Sequence, residues 1–150
     1  MIDRTARTRL AEAIRSLAAG QITNDQFEEL VSQKSADPAI REIFANGAWC
    51  LYSDTSEYRL AGRYRLPDGA KTEVARWVLF LGTDREYEWP STWRWRGLLL
   101  LFLNLISLGF YGSLYRKHLR ALGDWDVWPF FRRTDYEAAV ADPRYLAGAL

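Results

Sequence analysis

Five carboxylates sit in two short turns built on one plan. The first turn reads Asp84-Arg85-Glu86-Tyr87-Glu88-Trp89-Pro90, and the second reads Asp124-Trp125-Asp126-Val127-Trp128-Pro129. If the turns meet, Asp84, Glu86, Glu88, Asp124 and Asp126 make an oxygen-only ligand set of the kind that holds Ca²⁺ or Mg²⁺. Two of these acids beside an indole platform, Trp89 or Trp128, are also the equipment of glycosidase-type acid/base chemistry. The bland alternative pairs the acids with Arg85, Arg94, Arg132 and Arg133. It is the favoured one, because structural ion-pair networks perturb carboxylates as sites do.

Other chemistry is sparse. The single histidine, His118, lies in Tyr115-Arg116-Lys117-His118-Leu119-Arg120. Neighbouring cations favour its neutral form, and a surface position on a basic helical face is expected. The single cysteine, Cys50, lies among Ala48, Trp49, Leu51 and Tyr52 and reads as a buried, inert thiol. One His and one Cys cannot build a zinc site. A nucleophilic triad lacks its parts, and there is no Gly-rich phosphate loop. The expectation is therefore no catalytic residue, no metal, no cofactor and no enzyme activity.

The elements that position these residues read as helices. Leu10, Ala13, Ile14 and Leu17 share one face of a helix from about Arg4 to Ala19, ended by Gly20. Thr23-Asn24-Asp25-Gln26 is a capping box, and Phe27, Leu30 and Val31 form the buried stripe of the helix it opens. Asp37-Pro38 caps and starts a third helix with Ile40, Ile43, Phe44 and Leu51 on its face, broken at Asn46-Gly47. Tyr58–Leu66 has no clear period. Pro67-Asp68-Gly69 reads as a turn. Lys71–Leu81 reads as a helix ended by Gly82, with a buried strand over Trp77–Leu81 as the competing assignment. Both Trp-Pro turns read as irregular, extended before their prolines. Thr134-Asp135-Tyr136-Glu137 is a second capping box for a short helix ending near Ala141, and Asp142-Pro143 starts a final turn.

Between the two turns lies the uncharged run Gly97–Tyr115, flanked by Trp93, Arg94, Trp95 and Arg96 and by Arg116, Lys117, His118 and Arg120. Its length falls within the roughly 17–25 apolar residues that cross a bilayer. Asn104, Gly109 and Gly112 oppose a span, and basic flanks on both sides specify no orientation. A central core helix over about Thr92–Leu108 is the preferred reading, and a membrane anchor over residues 97–115 is the alternative.

Composition bounds the rest. The 150 residues are 49% hydrophobic and 26% charged, as in ordinary globular proteins. Seven Trp, eight Tyr and seven Phe make the chain rich in aromatics. A formal net charge of +1 leaves no electrostatic footprint for nucleic acid. One cysteine excludes an internal disulfide. Met1–Gly20 lacks the apolar core of a secretory signal, so the expected location is cytoplasmic.

Two resemblances add to this reading. Leu17, Gly20, Ile22, Thr23, Phe27 and Glu28 resemble the pattern of SHOCT-type helical modules over residues 10–34, with Gln26 where those modules usually carry an acid. That likeness implies an oligomerisation or interaction hairpin. Ala75-Arg76-Trp77, Leu79-Phe80-Leu81, Asp84, Glu86-Tyr87-Glu88-Trp89-Pro90, Gly123-Asp124 and Asp126-Val127-Trp128-Pro129-Phe130 together resemble a family of small bacterial proteins with no established activity. That likeness implies a stable single-domain fold and nothing about chemistry.

The expected architecture is mainly α. It is a single-domain helical bundle over residues 1–150 around the central apolar helix at about 92–108, with two irregular Trp-Pro turns. Residues 1–35 make the N-terminal hairpin and residues 36–150 the main body. The leading expectation for function is a non-enzymatic, cytoplasmic interaction or accessory protein, immunity-like, with a protein partner and no nucleic acid. Abundant Trp and Tyr favour interfaces, so exposed aromatics should gather in one patch. The alternatives are a membrane-associated protein anchored by residues 97–115, and an enzyme or divalent-cation binder using the acidic turns. Oligomerisation stays open.

Overall fold

The computed structural model describes residues 1–31, 35–90 and 123–143. The chain is mainly α-helical. Among the described residues there are five α-helices and no strand, and one isolated bridge pairs Thr23 with Arg59. The helices are α1 (Arg4–Ala18), α2 (Asn24–Val31), α3 (Pro38–Asn46), α4 (Asp68–Gly82) and α5 (Arg133–Ala141). The expected apolar helix at 92–108, the run 97–115, His118 and the basic segment around it lie outside the described residues. Among the described residues no helix is long and apolar enough to cross a membrane.

Helix α1 is closed at both ends by local chemistry. The Asp3 carboxylate accepts the Ala6 N–H at 3.0 Å. At the other end Gln21 N–H donates to Ser16 C=O and Gly20 N–H donates to Leu17 C=O, each at 2.9 Å. These two bonds form a Schellman motif, and it needs the left-handed φ of +68° that Gly20 supplies. The buried face of α1 is Arg7, Leu10, Ala11, Ala13, Ile14 and Leu17, at helical spacing. It packs mainly on α4, whose Val74, Trp77, Val78 and Leu81 are buried.

Helix α2 starts as its capping box requires. Gln26 N–H donates to Thr23 Oγ1 at 3.2 Å, and Thr23 N–H donates back to Gln26 Oε1 at 3.0 Å. Asn24, inside that box, is buried and does more than the box asks of it. Its amide donates to the carbonyls of Ser53 and Ser56 and accepts the Tyr58 N–H, which ties residues 53–58 to the hairpin. Phe27 is fully buried, whereas Leu30 is exposed, contrary to the expected stripe. A two-turn helix lying on a larger core buries only the residues nearest the contact.

Other expectations shift. Pro67-Asp68-Gly69 opens α4 instead of turning the chain away, with Pro67 at the cap, so the helix begins three residues before Lys71. The strand alternative at Trp77–Leu81 is replaced by the last turns of that helix. Tyr58–Leu66 contains a 3₁₀ turn at Gly62–Tyr64. The second capping box does not form. Helix α5 starts at Arg133, so Thr134 is already inside the first turn, and Arg132 at the cap makes no side-chain capping bond. Cys50 is exposed, because it lies on the outer side of a 3₁₀ turn, Ala48–Leu51, of which only Ala48 is buried.

One buried ion pair joins three segments. Arg7 and Asp37 are both almost fully buried, with Arg7 Nε at 2.6 Å and Nη2 at 3.1 Å from the two carboxylate oxygens. Arg7 Nη1 donates to the carbonyls of Arg85 at 2.8 Å and Thr83 at 3.2 Å. Asp37 also accepts from the Asp3 amide and caps α3 through the Ala39 amide. Arg4, one turn before Arg7, donates to the carbonyls of Leu81 and Thr83 and pairs with Asp84. Two arginines of α1 thus satisfy the chain as it leaves the C-terminus of α4, where cations are favoured.

Burial by itself would raise the Asp37 carboxyl. Hydrogen bonds from Arg7 and Asp3, the Arg7 charge and the Ala39 amide outweigh it and hold the group below the ordinary 3.8. A carboxylate lowered in the folded state contributes stability that is whole above its unfolded value and is lost as acid protonates the folded form. Urea midpoints should therefore be steady at neutral pH and fall as pH drops below about 4. Arg7→Ala leaves Asp37 buried without its cation and should cost about 3–5 kcal/mol in urea unfolding at neutral pH. A loss under about 1 kcal/mol would show that water reaches the carboxylate and that the pair does not hold the segments.

Candidate functional site

The arginine-bound exit of α4 sets the course of residues 84–90, which run without regular structure to Trp89 and Pro90. Opposite them lies the second Trp-Pro turn. Asp124 builds it from one end. Its side chain accepts the Asp126 N–H at 3.0 Å, capping a 3₁₀ turn at Trp125–Val127, and its own amide donates to Phe131 C=O at 3.0 Å. Arg133 of α5 donates to the same carboxylate at 2.9 Å. Gly123 is required beside this closure, since a Cβ there would lie 2.9 Å from the Phe131 ring. Trp128–Pro129 is a cis peptide. Val127 and Phe130 are buried, and Phe130 meets Phe80 of α4 edge-on with centroids 5.0 Å apart.

The two turns interlock through their tryptophans. Trp89 of the first donates Nε1–H to Phe130 C=O of the second at 3.1 Å. Trp128 of the second donates Nε1–H to Tyr87 Oη of the first at 3.1 Å. Trp89 also packs on Trp125 at 4.4 Å and on Phe131 at 5.1 Å. Trp128 stands edge-on to Trp77 of α4 at 6.0 Å. Both indole N–H groups are thus satisfied, as buried indoles require. Burial pushes the Tyr87 hydroxyl up, and the Glu42 charge adds to this, against the lowering effect of the Trp128 bond. Tyr87 therefore keeps its proton across the neutral range.

Between the turns and the flank of α3 is a cavity of about 300 Å³, lined by Glu42, Asn46, Glu73, Tyr87, Trp89, Pro90, Trp125 and Trp128. It holds two of the tryptophans that sequence singled out, Trp89 and Trp128. It holds none of the five acids. Asp84 faces Arg4, Glu86 faces the N-terminal amine at 3.5 Å, and Glu88 faces Arg132 at 3.6 Å. Asp124 and Asp126 both face Arg133. The two turns do meet, but through their rings, while their carboxylates turn outward to cations. Among the described residues no group of three or more His, Cys, Asp or Glu side chains is placed to hold a metal ion.

The carboxylates of the cavity are Glu42 and Glu73, which sequence reading passed over. Glu42 is 4% exposed and accepts from Arg41 and from Asn46 Nδ2. Glu73 is half-exposed and is held on both oxygens by Arg76. A signal for Glu42 was present: it lies three residues after Ala39 and beside Ile43, inside the apolar stripe of α3. An acid on the buried side of a helix is uncommon unless paired. Glu73 carried no such signal.

Among the described residues the exposed aromatics do not gather in one ring cluster. Trp49 (41% exposed), Tyr64 (45%) and Trp125 (40%) belong to separate ring clusters, and no ring contact among the described residues links them.

Trp89→Phe keeps a ring in place and deletes its N–H, so the buried Phe130 carbonyl loses its partner. A loss of about 1–3 kcal/mol in chemical unfolding is expected. An unchanged midpoint would mean that the interlock is not carried by this bond. Comparison of the chain with protein-family models, with curated proteins and with solved structures found no match to any of them.

Proposed function

We propose that the protein is a non-enzymatic interaction protein that receives a group of a partner protein in the cavity between its Trp-Pro turns. The observation that carries this reading is the cavity itself, about 300 Å³, with three tryptophans in its wall. Rigid aromatic walls around a pocket are what energetically dominant contacts use, since they offer large area at little entropic cost. Trp125 is the most exposed ring of this wall. The polar side chains of the wall are engaged with protein groups: Glu42 with Arg41 and Asn46, Glu73 with Arg76, and Tyr87 with Trp128. Groups held this way are fixed before a ligand arrives, which suits recognition.

Site-specific photocrosslinking tests this in cells. A benzophenone side chain at position 125 should give a discrete adduct with a partner, and one at position 64, exposed but not part of the cavity wall, should not give that adduct. Identical adducts from both positions, or none from 125, would remove the cavity as the contact site.

A further inference from the structure

We infer that the cavity takes an alkylated ammonium group, the head of a small quaternary amine or of a methylated lysine. This ligand class rests on the binding role proposed above. The wall presents ring surfaces and acceptors. Tyr87, Trp89, Trp125 and Trp128 supply the rings, and Glu42 and Glu73 supply carboxylates. Three of the donors are spent inside the protein. Trp89 Nε1–H is spent on Phe130 C=O, Trp128 Nε1–H on Tyr87 Oη, and Asn46 Nδ2–H on Glu42 at 2.9 Å. Arg41 and Arg76 bond those carboxylates but are not among the described lining residues.

Each ligand class meets this wall differently. Among the lining side chains an anion would meet two carboxylates and no cation. A sugar needs donors as well as acceptors, and would find two indole N–H groups directed into the protein. A cation meets four rings and two carboxylates among the lining side chains, the combination that aromatic cages use. Alkylation decides among cations. A bare ammonium is strongly hydrated, whereas a methylated one sheds water easily and offers methyl groups to the rings. A volume of about 300 Å³ stands at the small end of ligand pockets and suits such a head group.

The test is titration of the full chain with choline, with its uncharged tert-butyl isostere, with glucose, and with a peptide carrying trimethyl-lysine or plain lysine. Calorimetry and tryptophan emission report binding. Choline or the trimethylated peptide should saturate the protein and bind at least about tenfold tighter than the isostere, the scale of a desolvated cation–π contact. A preference for the peptide over choline assigns the group to a modified protein, and the reverse assigns it to a free amine. Trp125→Ala and Glu73→Gln should each weaken that binding severalfold, measured on variants that keep the helical circular dichroism of the parent chain. Glu73→Gln carries the test if the tryptophan variant does not fold. Equal binding of the isostere, tighter binding of glucose, or no saturable binding of either ammonium would overturn the inference. If crosslinking from position 125 still captures its partner in that case, the ligand class is wrong and the binding role stands. If both fail, both fall.

Discussion

The fold depends on one buried charge pair. Arg7 and Asp37 are thirty residues apart, and neither reaches water. Taking two ions out of water costs several kcal/mol each, and their attraction repays this only when the remaining donors and acceptors are satisfied. Here they are. The guanidinium also reaches two carbonyls at the exit of α4, and the carboxylate also takes two backbone amides. The pair is thus a junction for the start of α1, the start of α3 and the end of α4. A hydrophobic substitute could fill its volume, but no apolar side chain could satisfy four backbone groups at once. What the pair contributes is a particular arrangement of three segments more than net stability.

That arrangement determines where the first Trp-Pro turn begins. Residues 83–85 are bound to α1, and the chain that follows runs to the side of α4 where Phe80 and Tyr87 meet. The second turn arrives there independently, anchored by Phe130 on Phe80 and by Arg133 on Asp124. Each turn then fills a hydrogen-bonding need of the other. The result is a cavity in whose wall Trp89, Trp128, Tyr87, Glu42 and Glu73 are already bonded within the protein. Its ring surfaces remain as the means of contact.

The local parts of this were legible in the chain. The capping box at Thr23–Gln26, the Asp37 cap with Pro38, and the Gly20 stop each need only residues within one turn of each other, and all three form as read. The amphipathic faces of α1 and α4 were legible for the same reason, because helical periodicity records which side is buried. Failures came where a neighbour distant in sequence prevailed. Leu30 satisfied the periodicity of α2 but lies beyond the reach of the core. Thr134 satisfied the pattern of a capping box, yet Arg133, drawn to Asp124, already belongs to the helix. Cys50 was surrounded in sequence by apolar residues, but it projects from the outer side of a 3₁₀ turn.

The two Trp-Pro turns show the division most clearly. Sequence by itself determined that they are irregular, that they echo each other and that Trp89 and Trp128 matter to them. It also determined the mainly helical frame, through caps and periodicity that act over a few residues. Only the tertiary structure decided that the turns meet by exchanging indole hydrogen bonds, that their five acids face outward to arginines and the amino terminus, and that Glu42 and Glu73 stand in the cavity instead. The reason is physical. A carboxylate on a flexible turn goes to whichever cation lies near it in space, and that neighbour comes from another part of the chain. Local bonding can be read from adjacent residues, but the pairing of charges and rings exists only after the chain has closed on itself.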